Sequence, residues 1–148
     1  MSQVLVLNGP NLNLLGQREP EKYGSLTLSD IENSLSEQAG KLGVAIDFFQ
    51  SNSEGALIGR VQSTAQDGTQ IVIINPAGYS HTSIALRDAF LGVATPLIEV
   101  HISNIHQREP FRHHSYFSDI AVGVLAGFGP AGYNMALTAA VAHINKHA

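Results

Sequence analysis

Glu99 and His101 stand two residues apart in the otherwise apolar run Leu97–Ile102. Side chains at i and i+2 of an extended strand share a face, so carboxylate and imidazole would lie side by side. A buried carboxylate needs a partner. A histidine held in one orientation by such a group suits proton donation. A lone histidine in an apolar strand is more often a satisfied core residue, and Glu99 makes that plainer reading less comfortable. The loop after the first apolar run carries a second constellation, Asn11, Arg18 and Tyr23, within N-L-N-L-L-G-Q-R-E-P-E-K-Y-G. Tyrosine, with an ordinary pKa of about 10, needs help to act as a base. A nearby guanidinium stabilises the phenolate, and the spacing of Arg18 and Tyr23 permits the two to meet on closure. Without that, a loop tyrosine is an anchor that packs its ring and wets its hydroxyl.

The third segment is I-N-P-A-G-Y-S-H-T-S, with Asn75 and His81. Asn75 before Pro76 also reads as plain turn chemistry. Downstream, I-H-Q-R-E-P-F-R-H-H carries Arg108 and Arg112. The side chains of His113 and His114 diverge, as adjacent residues do, and belong to a surface loop.

These residues must be positioned by elements, and strand and helix patterns alternate along the chain. Val4–Leu7, Val44–Phe49, Ile71–Ile74, Leu97–Ile102 and Ile120–Leu125 are β-branched or aromatic runs. A first helix is expected from a capping box at Ser29-x-x-Glu32, with the apolar face Ile31, Leu35, Ala39 and Leu42 and a stop at Gly43. A second passes through Leu57, Ile58, Val61 and Ala65 to Gly68, and a third covers Ile84–Leu91. The last carries Leu137, Val141 and Ile144 beyond Pro130. Asn104 to Asp119 is weakly periodic and carries no firm assignment. The expected architecture is α/β: a single doubly wound, flavodoxin-like domain over residues 1–148. Its five-stranded parallel sheet has the order 2-1-3-4-5, with helices on both faces. Ligands of such sheets bind beyond the carboxyl ends of the strands, near the switch point. With that order, strands 1, 3 and 4 are neighbours, and all three constellations face one crevice.

Composition narrows the chemistry. A chain of 148 residues buries a proper core without staples. A net charge of −4 with 8 Lys plus Arg is a poor match for a nucleic-acid partner. Zero cysteines exclude a thiol nucleophile, a disulfide framework and a Cys-type zinc site. No run has membrane-spanning length and the N-terminus has no signal-like pattern, so a cytoplasmic address is expected. There is no G-x-x-x-x-G-K-[ST] phosphate loop. Lys22, Lys41 and Lys146 are the only lysines, and the latter two sit on a helix and at the tail, which makes a Schiff-base lysine a poor fit. No helical His-x-x-x-His pair supports a metal site.

Four segments together carry a resemblance that runs through nearly the whole chain. N-G-P-N-L-N-L-L-G-Q-R-E-P-E-K-Y-G, Q-S-N-S-E-G, I-N-P-A-G-Y-S-H-T-S-I-A-L-R-D-A and E-V-H-I-S-N-I-H-Q-R-E-P-F-R closely resemble type II 3-dehydroquinate dehydratase. Ala77-Gly78 departs from that pattern, which has Gly then Ala, and Ser80 replaces its Thr; both bear on the turn after Asn75. The resemblance implies loss of water from 3-dehydroquinate to give 3-dehydroshikimate. The implied route is an anti elimination through an enolate, with no metal and no organic cofactor. It implies Tyr23 as the base, Arg18 as the cation that keeps it ionised, and Asn11 as the enolate's support through a water. It further implies His101 as the proton donor to the departing hydroxyl, with Glu99 orienting it. Substrate contacts are implied for Asn75, His81, Ile102, Ser103 and Arg112, with Arg108 near the tyrosine. Asp88, on the third helix, is implied to serve a neighbouring subunit's site in a dodecamer built from trimers.

Two other readings compete. A noncatalytic flavodoxin-like module for a small anion or nucleotide would use the arginine cluster and the first loop. A metal-dependent hydrolase would use the histidines. Neither explains Arg18 together with Tyr23.

Overall fold

A computed structural model describes residues 3–17, 21 and 25–148; Arg18 and Tyr23 lie outside the described residues. Five strands, β1 (Val4–Asn8), β2 (Ile46–Gln50), β3 (Ile71–Asn75), β4 (Leu97–His101) and β5 (Gly123–Ala126), form one parallel sheet in the order β2-β1-β3-β4-β5. This is the order expected from the alternating pattern. The four α-helices among the described residues are α1 (Leu28–Leu42), α2 (Glu54–Ser63), α3 (Ile84–Val93) and α4 (Ala131–Lys146).

Alternation along the strands builds two separate cores. Val4, Val6, Ile71, Ile73, Ile98 and Val100 point to one side, where α1 and α4 bury Leu35, Ala39, Tyr133 and Leu137. Leu5, Leu7, Val72, Ile74 and Leu97 point to the other, where α2 and α3 bury Leu57, Val61, Leu86 and Phe90. Every residue of β1, β3 and β4 is buried, as strands covered on both faces require. β5 is an edge strand and stays partly exposed.

Several expected boundaries shift. The capping box is not at Ser29 and Glu32. Thr27 is the extended N-cap residue, its Oγ1 accepts the Asp30 N–H (3.2 Å), and Asp30 Oδ2 accepts the Thr27 N–H (2.9 Å). The Thr27 backbone N–H, with its hydroxyl, holds the Asp30 carboxyl below the usual range. Gly43 ends α1 at φ 74° as expected, whereas Leu42 is exposed rather than part of the apolar face. α2 stops at Ser63, because the Thr64 hydroxyl donates to the Val61 carbonyl (2.6 Å) and closes the last turn. β2 and β5 each begin later than the apolar runs do, and 104–119 holds two 3₁₀ turns, Ile105–Gln107 and Pro110–Arg112.

The loops after β1 and β3 are in direct contact. Gly9 N–H donates to the Asn75 carbonyl (2.8 Å). A Cβ on Gly9 would stand 2.4 Å from the Pro76 carbonyl oxygen, so only glycine allows this approach.

Candidate active site

The carboxyl ends of β1, β3 and β4 open onto a crevice of about 240 Å³. That is room for one compact molecule, below the roughly 300–1,000 Å³ of drug-sized sites. Asn11, Asn75, His81, His101, Ile102, Ser103, Arg108 and Arg112 all line it, so three distant segments meet where the topology puts them. The two guanidiniums give it the character of an anion site, and the two imidazoles add hydrogen-bonding groups.

His101 closes β4, and Glu99 lies behind it, wholly buried. Glu99 Oε2 takes His101 Nε2 in a very short contact, which leaves Nδ1 for whatever occupies the crevice. The other carboxylate oxygen, Oε1, accepts the Ser118 hydroxyl at 2.6 Å. Burial pushes the Glu99 carboxyl up, but His101, Ser118 and Ser115 more than offset this and hold it below the usual range. Glu99 is therefore an anion at neutral pH, and His101 Nε2 is its donor.

His81, in the turn Ala77–His81, hydrogen-bonds through Nδ1 to the His114 carbonyl (2.8 Å). A carbonyl can only accept, so Nδ1 carries the proton and Nε2 is free to accept from a ligand. Burial is the largest influence on His81 and lowers its pKa, with the charges of His101 and Arg112 acting in the same direction. At neutral pH it is an uncharged imidazole.

Asn75 combines both readings of its motif. Its Oδ1 accepts the Ala77 N–H (3.1 Å), a turn bond, and its Nδ2 donates to the Tyr133 hydroxyl (2.9 Å). Tyr133 in turn donates to Asn8 Oδ1 (2.7 Å), so one buried hydroxyl on α4 ties together the ends of β1 and β3. Burial keeps that phenol protonated. The Asn75 amide retains one N–H for the crevice it lines. Asn11 sits in the left-handed region at φ 70°, its N–H held by Asn52 Oδ1 (2.9 Å). Ser103 Oγ accepts from Arg108 Nη1 (3.3 Å), and Arg112 Nε donates to Glu109 (3.0 Å).

Asp88 lies elsewhere. It is exposed on α3 in a shallow groove with Ile58, Gln62 and Val93, away from its own chain's crevice. Arg18 and Tyr23 fall outside the described residues.

Over residues 2–141 the chain matches the model of the family described as Dehydroquinase class II. It belongs to that family. The chain is 61% identical to a 3-dehydroquinate dehydratase of Bordetella avium (strain 197N), over 95% of this chain and 97% of that one. It is 62% identical to a 3-dehydroquinate dehydratase of Methylococcus capsulatus, over 95% of each. The crystal structure of type II dehydroquinase from Propionibacterium acnes superposes with a TM-score of 0.90 at 46% identity, covering 96% of this chain and 98% of that one.

Sequence reasoning missed Ser118, Ser115, Tyr133 and Asn52. Tyr133 keeps helical spacing with Leu137 and reads as core. A serine 19 residues beyond Glu99 carries no local sign of its partner.

Proposed function

We propose that this crevice removes water from 3-dehydroquinate by anti elimination through an enolate, giving 3-dehydroshikimate. The chain is a type II 3-dehydroquinate dehydratase, a hydro-lyase of the shikimate pathway. The observation that carries the site assignment is the buried Glu99–His101 couple at the end of β4, open to a cationic crevice. Tyr23 as phenolate takes the proton α to the ketone, and Arg18 keeps it ionised; both assignments rest on the family motif. Asn11, at the rim, stabilises the enolate oxygen through a water. His101 then gives a proton to the departing hydroxyl, with Glu99 fixing the ring and offsetting its charge.

Arg112 suits the ring's polar groups through its planar fork. Asn75, neutral His81, Ile102 and Ser103 hold the hydroxyls and carboxylate, and the family motif assigns Arg108 to the tyrosine. The reaction needs no metal or organic cofactor. The chain works as one catalytic domain in the cytoplasm, within a homo-oligomer, a dodecamer built from trimers in which Asp88 reaches a neighbouring site. Support for a covered α3 comes from Ile84 and Leu91, each 54% exposed beside Asp88.

The test is conversion of 3-dehydroquinate by the purified protein in the presence of a chelator, read as rising near-ultraviolet absorbance of the conjugated product. Tyr23→Phe should lose ~10²–10⁴-fold in kcat; full activity in that variant would remove Tyr23 as the base.

A further inference from the structure

Glu99 has two carboxylate oxygens, and the reaction just described uses one. The other is held by a residue that neither touches the crevice nor lies on the sheet. We propose that Ser118 is a positioning residue for the proton donor: its hydroxyl fixes Glu99, and through Glu99 it orients His101.

The geometry is specific. Ser118 Oγ donates to Glu99 Oε1 at 2.6 Å, while Oε2 is occupied by His101 Nε2. A carboxylate with no solvent exposure must have both oxygens satisfied or lose its charge. The Ser118 bond also stops the carboxylate from rotating, so Oε2 keeps its aim at the imidazole. Ser118 is itself anchored. The preceding Phe117 is fully buried and packs edge-on against Phe90 of α3, with ring centroids 6.1 Å apart. Tyr116 N–H donates to the Ser80 carbonyl (2.8 Å), and the Tyr116 carbonyl accepts from Arg87 Nη1 (2.8 Å). Arg87 also pairs with Asp119. The hydroxyl is thus presented by a braced loop rather than by a free one. Ser115, whose Oγ accepts the Phe117 N–H (3.2 Å), lies against the same carboxylate and is partly committed to that turn.

The titratable groups that act on Glu99 are His101 on β4 and His81 from the turn after β3, and Arg112 from the turn at 110–112 lines the crevice with them. Arg108 lines the same crevice. Each favours the carboxylate when cationic, but His81 is neutral and the arginines have other partners. Ser118 and Ser115 are the neutral donors on that carboxylate. Ser118 is exposed as a residue, so trimming its hydroxyl leaves no core cavity and Ser118→Ala should fold.

The inference rests on the dehydratase reading, and the test separates the two. The Glu99 carboxyl is titrated by ¹³C NMR in the free protein, assigned by its loss in Glu99→Gln. Ser118→Ala should raise its midpoint by about one pH unit and lower kcat roughly 10-fold, with KM changed by less than about 2-fold because Ser118 does not touch the crevice. Ser118→Thr, which keeps the hydroxyl, should restore both. An unmoved Glu99 midpoint in Ser118→Ala would overturn the role, as would a kcat loss that Ser118→Thr shares. Absence of turnover in the unmodified protein would instead count against the dehydratase reading and leave the titration to decide the hydrogen bond.

Discussion

Ala77 occupies the left-handed region at φ 52°, one residue before a glycine that does not need its freedom. An L-residue pays for this conformation with a Cβ–carbonyl clash of about 1–2 kcal/mol, whereas glycine adopts it without strain. The sequence motif with Gly then Ala would put glycine where the backbone requires it, and this chain reverses the two. Ala77→Gly should therefore stabilise the protein by about 0.5–1 kcal/mol after the entropy cost of glycine, read from the urea midpoint; a destabilised variant would show that the Asn75 turn does not carry this strain. At this scale the sequence revealed Glu99 and His101 because a period of two guarantees a shared face. It hid Ser118, whose partner is near in space and far in sequence. It also hid the second half of Asn75, whose amide serves the turn and Tyr133 together.

Among the elements, α1 shows why a capping motif is easily placed a few residues off. Ser29-x-x-Glu32 and Thr27-x-x-Asp30 overlap, and both satisfy the pattern of a hydroxyl followed three residues later by an acid. The chain chooses Thr27 because Leu28 already lies in the helix, which leaves Ser29 and Glu32 inside its first turns rather than at its N-cap. Thr27→Ala should cost about 1 kcal/mol, while Ser29→Ala, on the exposed face, should stay within about 0.5 kcal/mol. Urea denaturation of both variants checks this, and equal losses would restore the Ser29 assignment. Strand order was legible because five β-branched runs alternate with helical periods. The limits of β2 and β5 were not, since apolar residues also serve the approach to a strand: Val44 N–H closes onto the Ala39 carbonyl and Val122 N–H onto that of Leu97 before the ladders begin.

Across the whole molecule, the sheet places a buried anion between a helix-covered core and an open crevice, and global stability must register it. The Glu99 carboxyl, ordinarily near 4.5, is depressed in the folded chain, burial being outweighed by His101 and the two serines. A depressed carboxyl contributes stability that is complete above its unfolded value and is lost as pH falls through the folded one. Unfolding midpoints should thus decline progressively below pH 4.5, and Glu99→Gln should flatten that decline, because the other depressed carboxyls among the described residues, Asp30, Asp67, Glu109 and Asp119, are all less buried than Glu99. An unchanged slope in Glu99→Gln would mean that the buried anion does not govern acid unfolding. The central claim concerns what this anion does for His101 in the crevice, and turnover of 3-dehydroquinate, followed as near-ultraviolet absorbance, tests it most directly. The unmodified protein should convert the substrate, and folded His101→Ala should fall by ~10²–10⁴-fold in kcat; a His101→Ala protein that turns over at the unmodified rate would contradict the account.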